Sequence, residues 1–204
     1  MPEGPITLTL GGAVVGMEPA TVAAAFQQSH MVALPGFLDG RFLDLLGKAA
    51  RHSGFVRETV PGIGAREVET PLRQAAAVLL ALRGKTVMNW ARTVTGAPEL
   101  ADVGGSVVRS LACANDQLAW HDDNHAPERV AALTIRLGHE TYAGGAFEFR
   151  CKARPRQVIR HEHVRPGDAL LFAVSGEFEH RVLPLRSGGP RSMFTGWFMR
   201  GTSH

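Results

Sequence analysis

The sequence is poor in several features that define specialised classes of protein. It has only two cysteines, Cys113 and Cys151, which excludes a disulfide framework and fits a reducing compartment. No apolar run approaches the ~20 residues that a membrane helix needs, and the first residues lack the basic and apolar regions of a signal peptide. The net charge of +3 is small and the arginines are scattered, which argues against a nucleic-acid partner. We therefore expect a cytoplasmic globular protein with neither a membrane nor a nucleic acid as its partner.

The first half of the chain alternates short strand-like and helical segments. The clearest helical pattern covers residues 70–85, with an apolar stripe at helical spacing. Thr70 is the expected N-cap of this helix, and Asp39 is the expected N-cap of an earlier one. These segments predict a layer of helices that packs against a sheet.

From about residue 104 the pattern changes to short apolar runs that are separated by turns. Seven or eight closely spaced strands indicate a β-sandwich or barrel, and no linker divides the two halves. We predict one α+β, mostly β domain over residues 1–204, with helical and strand support in about 1–103 and the β-core in about 104–200.

The stretch "WHDD" at residues 120–123 contains the first candidate ligands. If it ends a strand, side chains alternate between the two faces of the sheet. His121 and Asp123 would then share one face, while Asp122 would point away. An imidazole and a carboxylate on one face can reach the same ion, although a short polar cluster of this kind is more often a solvated turn.

A metal site would need a third ligand, and one histidine has a suitable context. His180 opens an apolar strand, and Arg191 follows eleven residues later after a Gly/Pro turn. Two histidines and one carboxylate leave open positions on an octahedral metal, which is typical of non-haem Fe(II) oxygenases. Arg191 would supply a planar charged fork for a carboxylate. The other candidates for the third ligand are His125, His139, His161 and His163.

Several spaced motifs carry a family resemblance. The stretches "HDD", "YAGGAFEFR", "PGDALLF", "HRVLPLRSGGPRS" and the terminal "WF" occur in that order. They resemble the signature of the Fe(II)/2-oxoglutarate-dependent oxygenase superfamily, most closely its prolyl-4-hydroxylase-like branch, over about residues 31–199. The resemblance implies a distorted double-stranded β-helix, or jelly roll, with supporting N-terminal helices.

The resemblance also implies an iron site and a reaction. His121, Asp123 and His180 would hold Fe(II), the cosubstrate 2-oxoglutarate would chelate the iron, and Arg191 would pair with the distal carboxylate of 2-oxoglutarate. With O2, such an enzyme hydroxylates a C–H bond of an amino acid, peptide or small metabolite and releases succinate and CO2. Related halogenases have a small residue at the carboxylate position, so Asp123 favours hydroxylation.

The sequence departs from this branch at one position. The branch places a tyrosine about ten residues before the first ligand, where this chain has "SLACAN", and the single tyrosine is Tyr142. Arg136 shares the predicted strand face of Thr134 and is a candidate replacement for binding 2-oxoglutarate. A surface arginine is an equally good interpretation of Arg136 at this point.

Three alternatives stay open. His161 and His163 form "HEH", which suggests a cupin-like metal-binding barrel, but no glutamate follows at the spacing that cupins use. A nucleic-acid demethylase of the same superfamily would need more arginines after the distal histidine. A non-catalytic binding module would have lost a ligand. The sequence does not indicate the substrate, the stereochemistry or the oligomeric state.

Overall fold

The structure is a computed structural model that describes residues 4–201. Four helices occupy the first half of the chain: α1 (Pro19–Ser29), α2 (Gly40–Ala50), α3 (Arg73–Leu82) and α4 (Lys85–Thr95). The strands are β1 (Ile6–Thr9), β2 (Gly12–Val15), β3 (Met31–Leu34), β4 (Gly54–Val60), β5 (Gly64–Thr70), β6 (Leu100–Ser110), β7 (Leu118–His121), β8 (Arg129–Arg136), β9 (Tyr142–Gly144), β10 (Phe147–Cys151), β11 (Ile159–His161), β12 (Ala169–Ala173), β13 (Phe178–Val182), β14 (Leu185–Gly188) and β15 (Arg191–Arg200).

One curled antiparallel sheet dominates the fold. Its strand order is β11-β10-β13-β7-β5-β6-β15-β8-β12-β3, with β4 paired to β5. β5 changes partner along its length, from β6 at Glu67 and Val68 to β7 at Gly64. This change joins the two halves of the sheet, which face each other across the interior. The predicted double-stranded β-helix is confirmed. Strands β3, β4 and β5, from the first half of the chain, belong to the same sheet as the later strands.

Alternate side chains of β15 point to opposite sides, one set into the core that packs against the helices and the other into the interior of the β-helix. Phe194 and Phe198 are buried in the apolar cluster that includes residues of α1, α3 and α4. Arg191, Met193 and Trp197 have the opposite parity and line a cavity between the two halves of the sheet. The helices therefore stabilise one face of the strand whose other face builds the candidate site.

The N-terminus of α2 agrees with the sequence, but that of α3 does not. Asp39 caps α2 by accepting a hydrogen bond from the backbone N–H of Phe42 at 2.7 Å. Thr70 is not the cap of α3, which begins at Arg73 and has no side-chain cap at the preceding residue. Instead the buried carboxylate of Glu69 accepts the backbone N–H groups of Gln74 and Ala75 at 2.9 and 3.0 Å. A negative charge there satisfies orphan donors at the helix start.

Two further predictions can be compared with the fold. β6 begins at Leu100, a few residues before the expected start of the β-core near 104. Among residues 4–201, no helix has the length and apolar character that crossing a membrane requires.

Candidate metal centre and its cavity

The first two candidate ligands lie where β7 ends. His121 is the last residue of β7 and pairs with His180 on β13. Asp123 lies beyond the strand and has a φ of 56°, in the left-handed region that non-glycine residues rarely adopt. Strand alternation therefore does not extend to Asp123, and a turn returns its carboxylate to the side of His121. The structure brings together the two residues that the sequence argument paired, but strand alternation accounts only for the position of His121.

His121, Asp123 and His180 converge on one point. Their ligand atoms lie within 4.8 Å of one another, and no other group of this kind occurs within residues 4–201. His121 Nε2 is 3.8 Å from Asp123 Oδ1, and His180 Nε2 is 3.6 Å from Asp123 Oδ2. These distances are too long for hydrogen bonds. Two atoms that each bind one ion at about 2.1 Å lie about 3 Å apart at a right angle, so the spacing suits ligands of a shared metal.

The two imidazoles present their Nε2 atoms to this point. His121 Nδ1 is 2.7 Å from the carbonyl oxygen of Ala119, so it carries the proton and leaves the lone pair on Nε2. Burial, reinforced by the nearby His121, lowers the pKa of His180 to about 3. His180 is therefore neutral near pH 7, as a metal ligand must be. Two imidazoles and a carboxylate are a donor set that fits Fe(II).

Two side chains outside the triad, Trp197 and Arg129, orient the Asp123 carboxylate. Trp197 on β15 donates its indole N–H to Asp123 Oδ2 at 2.9 Å. The Arg129 guanidinium lies over the Trp197 ring at 3.8 Å and is 3.9 Å from Asp123 Oδ1. The indole therefore holds one carboxylate oxygen, and the guanidinium fixes the indole.

Asp122 and His125 lie outside the triad. Lys152 is 2.6 Å from Asp122 Oδ2, and this hydrogen bond lowers the pKa of Asp122. His125 Nε2 is 3.4 Å from the guanidinium of Arg129. The prediction that Asp122 points away from the metal ligands agrees with its pairing to Lys152.

The triad opens into a cavity between the two halves of the sheet. Its lining comprises Arg66, Val108, Ser110, Leu118, His121, Asp123, Thr134, Phe147, Phe172, His180, Val182, Arg191, Met193, Thr195 and Trp197. Seven of these fifteen side chains are apolar, and the rings of Phe147 and Phe172 lie 5.5 and 4.8 Å from that of His180. A few charged groups in an apolar enclosure are typical of a small-molecule site.

Arg191 is a buried cation in this cavity. Only 6% of its surface is exposed, and no Asp or Glu within residues 4–201 forms an ion pair with it. Burial lowers the pKa of the guanidinium. Gly145 adjoins the side chain: a Cβ there would lie 2.8 Å from Arg191 Cδ, and the φ of Gly145 is +68°. A buried guanidinium without an anion is costly, which points to a ligand that supplies one.

Tyr142 is a functional candidate that the sequence argument missed. Its phenol lies beside Arg191, and this neighbour raises the pKa of the guanidinium and partly offsets the effect of burial. Tyr142 lies on β9, whereas the resemblance places a tyrosine before the first ligand. "YAGG" was part of the recognised pattern, but nothing in it indicated which side chain Tyr142 would contact.

Arg136 does not line the cavity of the triad. Its guanidinium donates to the backbone carbonyls of Gly138, Glu140, His163 and Val164 at 2.9–3.2 Å. It also lies 4.6 Å from the centre of the Tyr142 ring. The prediction that Arg136 binds 2-oxoglutarate therefore lacks support from its position, because these carbonyls occupy the guanidinium. The contacts favour a role in holding Tyr142 in place.

The "HEH" histidines do not form a second metal site. His161 and His163 lie with ring centres 4.9 Å apart, and no third ligand joins them within residues 4–201. His163 is buried and lies 3.0 Å from the Thr134 hydroxyl through its Nε2. Burial, with a smaller effect of Arg191, lowers the pKa of His163 well below its ordinary value. A cupin-like site at this pair is therefore not supported.

A comparison with protein families identifies the β-helix region. Residues 108–199 match the family model described as the 2OG-Fe(II) oxygenase superfamily. This segment contains the triad, Tyr142 and Arg191, and the match confirms the resemblance predicted from the motifs. No curated protein matches the sequence.

Solved structures share the fold at low sequence identity. An oxidoreductase of the 2OG-Fe(II) oxygenase family from Burkholderia pseudomallei has a TM-score of 0.72 and 16% identity, covering 92% of this chain and 93% of its own. A Pseudomonas putida prolyl-4-hydroxylase has a TM-score of 0.67 and 18% identity, covering 90% and 99%. The α-ketoglutarate-dependent epimerase SnoN of nogalamycin biosynthesis has a TM-score of 0.67 and 18% identity, covering 91% and 83%. At these identities the likeness establishes the fold and not the reaction.

Proposed function

We propose that the protein is a hydroxylase that uses Fe(II), 2-oxoglutarate and O2, because residues 108–199 match the family model of the 2OG-Fe(II) oxygenase superfamily. His121, Asp123 and His180 hold the iron, and Arg191 binds the distal carboxylate of 2-oxoglutarate. The products are a hydroxylated substrate, succinate and CO2.

One observation carries this proposal: the metal-binding triad and an unpaired buried guanidinium line the same cavity. A dicarboxylate such as 2-oxoglutarate can bridge them, with one end at the metal and the other on Arg191. A planar guanidinium binds a carboxylate through two parallel hydrogen bonds. The desolvation cost of Arg191 is then offset when the ligand binds.

The chain's own residues bind, orient and shield the reactants. The iron and the cosubstrate supply the oxidising chemistry that protein side chains lack. Trp197 keeps the Asp123 carboxylate in position, and Tyr142 supports the guanidinium of Arg191. Phe147 and Phe172 cover one side of His180 and exclude water from it.

Epimerisation is a second candidate reaction, because the epimerase SnoN shares this fold. Both reactions begin by removing hydrogen from a substrate carbon, and they differ in what is returned to that carbon. The three-ligand set with Asp123 is compatible with both. We favour hydroxylation on the resemblance to the prolyl-4-hydroxylase-like branch.

We also propose a cellular compartment and a class of substrate for this reaction. Cys113 and Cys151 are both free, which supports a reducing compartment such as the cytoplasm. An amino acid, a peptide or another small metabolite is the expected class of substrate.

An anaerobic titration and an oxygen-dependent assay test this function. Purified protein with Fe(II) and 2-oxoglutarate under nitrogen should develop a weak visible charge-transfer band. Air should then release succinate in a 2-oxoglutarate-dependent manner. Absence of both the band and succinate would overturn the cofactor assignment. With an accepted substrate, a mass gain of one oxygen atom derived from O2 identifies hydroxylation, whereas an unchanged mass with inverted configuration identifies epimerisation.

A further inference from the structure

A second arginine lines the cavity and has no role in the proposed binding of the cosubstrate. Arg66 lies on β5, between the residues that pair with β6 and the one that pairs with β7. Val68 pairs with Val108, which lines the cavity, so Arg66, two residues away, shares that face. Arg66 is itself part of the lining.

The backbone at this corner explains how Arg66 reaches the interior. A Cβ on Gly64 would lie 2.0 Å from the carbonyl oxygen of Gln117, and the φ of Gly64 is +156°. Only glycine permits so close an approach of β5 to the start of β7. Arg66 follows two residues later on β5 and is the one residue of β4 and β5 in the lining of the cavity.

The guanidinium of Arg66 is only partly used by the protein. Its Nε donates to Glu58 Oε2 at 2.9 Å, and the Glu58 side chain is 47% exposed. A surface ion pair of this kind contributes little stability. Neither terminal nitrogen of Arg66 has a hydrogen-bond partner within residues 4–201. This leaves the pair of donors whose geometry matches a carboxylate.

Charge balance indicates what these donors would bind. In the proposed complex, the charges of a divalent metal, a doubly negative 2-oxoglutarate, Asp123 and Arg191 cancel. One carboxylate of the cosubstrate is used at the metal and the other on Arg191. The only ion pair of Arg66 within residues 4–201 is the one with the exposed Glu58, so its terminal nitrogens can bind an anionic group of another molecule.

The other residues that line the cavity indicate the chemical character of the rest of that molecule. Val108, Leu118, Phe172, Val182 and Met193 present hydrocarbon surface to the cavity. An aliphatic chain gains free energy by leaving water for such a surface. The cavity thus combines a guanidinium that has two unused terminal nitrogens with apolar walls near the candidate metal ligands.

We propose that Arg66 binds the carboxylate of the primary substrate, which is a small aliphatic carboxylic acid. This inference rests on the proposed function. It makes Arg66 a specificity-determining residue, while Arg191 serves the cosubstrate. The charged end of the substrate is held at the β5 corner and its hydrocarbon part lies along the apolar walls.

Binding to the loaded protein tests this inference without turnover. The protein with Fe(II) and 2-oxoglutarate is titrated under nitrogen by calorimetry with butyrate, hexanoate, leucine and proline, each beside its primary amide. At least one acid should bind about ten- to a hundredfold more tightly than its amide, as expected for a charge-assisted bidentate contact. If no acid binds more tightly than its amide, the inference is wrong.

Three variants identify the residue responsible. Arg66→Gln should remove the preference for the acid and leave the affinity for 2-oxoglutarate within about twofold. Glu58→Gln should retain or strengthen the preference, because it frees Arg66 from its surface partner. The matched control is Arg160→Gln, which breaks an exposed ion pair with Glu162 away from the cavity and should change neither affinity.

The outcomes separate this inference from the proposed function. A loss of 2-oxoglutarate binding in Arg66→Gln would assign Arg66 to the cosubstrate and overturn the inference. Equal effects of Arg66→Gln and Glu58→Gln would indicate a structural ion pair and would also overturn it. If the unaltered protein binds no 2-oxoglutarate, the proposed function itself fails.

Discussion

Trp197 donates its indole N–H to the Asp123 carboxylate across 2.9 Å, and so a residue of β15 orients a candidate metal ligand that follows β7. The two residues are 74 positions apart in the chain. Partners that orient metal ligands typically change metal affinity by 10- to 100-fold when they are lost. This contact is therefore expected to be measurable in binding as well as in turnover.

Trp197→Phe should weaken Fe(II) binding by about tenfold or more, because phenylalanine keeps an aromatic ring under Arg129 but has no N–H to donate. Anaerobic calorimetry with Fe(II) measures the change. Trp90→Phe is the matched control: the indole nitrogen of Trp90 is buried without a hydrogen-bond partner, so its loss should leave the affinity unchanged. Equal affinities of Trp197→Phe and the unaltered protein would remove this role.

Asp123→Ala should abolish metal binding and succinate release, whereas Asp122→Ala should retain most of both. The neighbouring carboxylates differ because Asp122 pairs with Lys152 at 2.6 Å, while Asp123 is part of the triad. Bound iron and succinate are measured for both variants. The reverse pattern would overturn the ligand assignment.

Arg191→Gln should raise the 2-oxoglutarate concentration needed for half-maximal succinate release by about a hundredfold, because a charge-assisted bidentate contact is lost. Arg200→Gln on the same strand loses an exposed pair with Glu99 and a hydrogen bond to the carbonyl of Pro127; it does not line the cavity and serves as the control. An unchanged requirement in Arg191→Gln would rule out the assigned role.

Tyr142→Phe should raise the same requirement by a smaller factor, about three- to tenfold, since it removes the polar phenol group beside the guanidinium. The affinity for Fe(II) should not change, because Tyr142 does not contact the triad. If the change lowers iron affinity and leaves the 2-oxoglutarate requirement intact, Tyr142 does not support Arg191.

His163 should make the folded protein less stable in acid. Burial holds its pKa well below the ordinary 6.5, so below pH 6.5 the unfolded chain binds a proton that the folded chain excludes. The stability that neutral His163 contributes is present above pH 6.5 and is lost as the pH falls towards the folded-state pKa, by up to about 1.4 kcal/mol per pH unit.

Unfolding in urea at a series of pH values measures this effect. His163→Gln should flatten the dependence below pH 6.5, whereas replacement of the exposed His52 by Gln should not. Parallel curves for all three proteins would contradict the prediction.

Glu69→Ala should lower the free energy of unfolding by about 2 kcal/mol or more, because the backbone N–H groups of Gln74 and Ala75 lose their acceptor in a buried place. Thr70→Ala should cost less than about 0.5 kcal/mol, since Thr70 does not cap the helix. Chemical denaturation of both variants distinguishes them, and a larger loss in Thr70→Ala would restore the cap predicted from the sequence.

Local patterns predicted much of the fold. Asp39 at the start of α2 was identified because a capping side chain lies three residues before the backbone N–H that donates to it. Thr70 was wrongly predicted as a cap because the residue that caps α3 does not have the usual capping spacing. The cap of α3 comes from Glu69, whose carboxylate reaches past Thr70 and Pro71 to the first turn, and sequence spacing alone does not describe that path.

The sequence predicted which residues form the candidate site, but it predicted their positions only in part. The motifs around His121, Asp123, His180 and Arg191 occur in the order and at the spacing of the family signature, so the resemblance could identify these residues. Arg136 shows the limit of that reasoning. It is on the expected strand, but nearby carbonyl groups capture its long side chain, and strand parity cannot foresee such competition.

The sequence by itself determined the strands, the helices and the residues with metal-binding chemistry, because these depend on periodicity and on chemically distinctive side chains. The tertiary structure decided which groups meet in the cavity. The left-handed backbone at Asp123, the contact of Tyr142 with Arg191 and the corner of β5 that carries Arg66 all depend on the way the sheet curls. These contacts join residues distant in the chain, and no local pattern encodes that geometry.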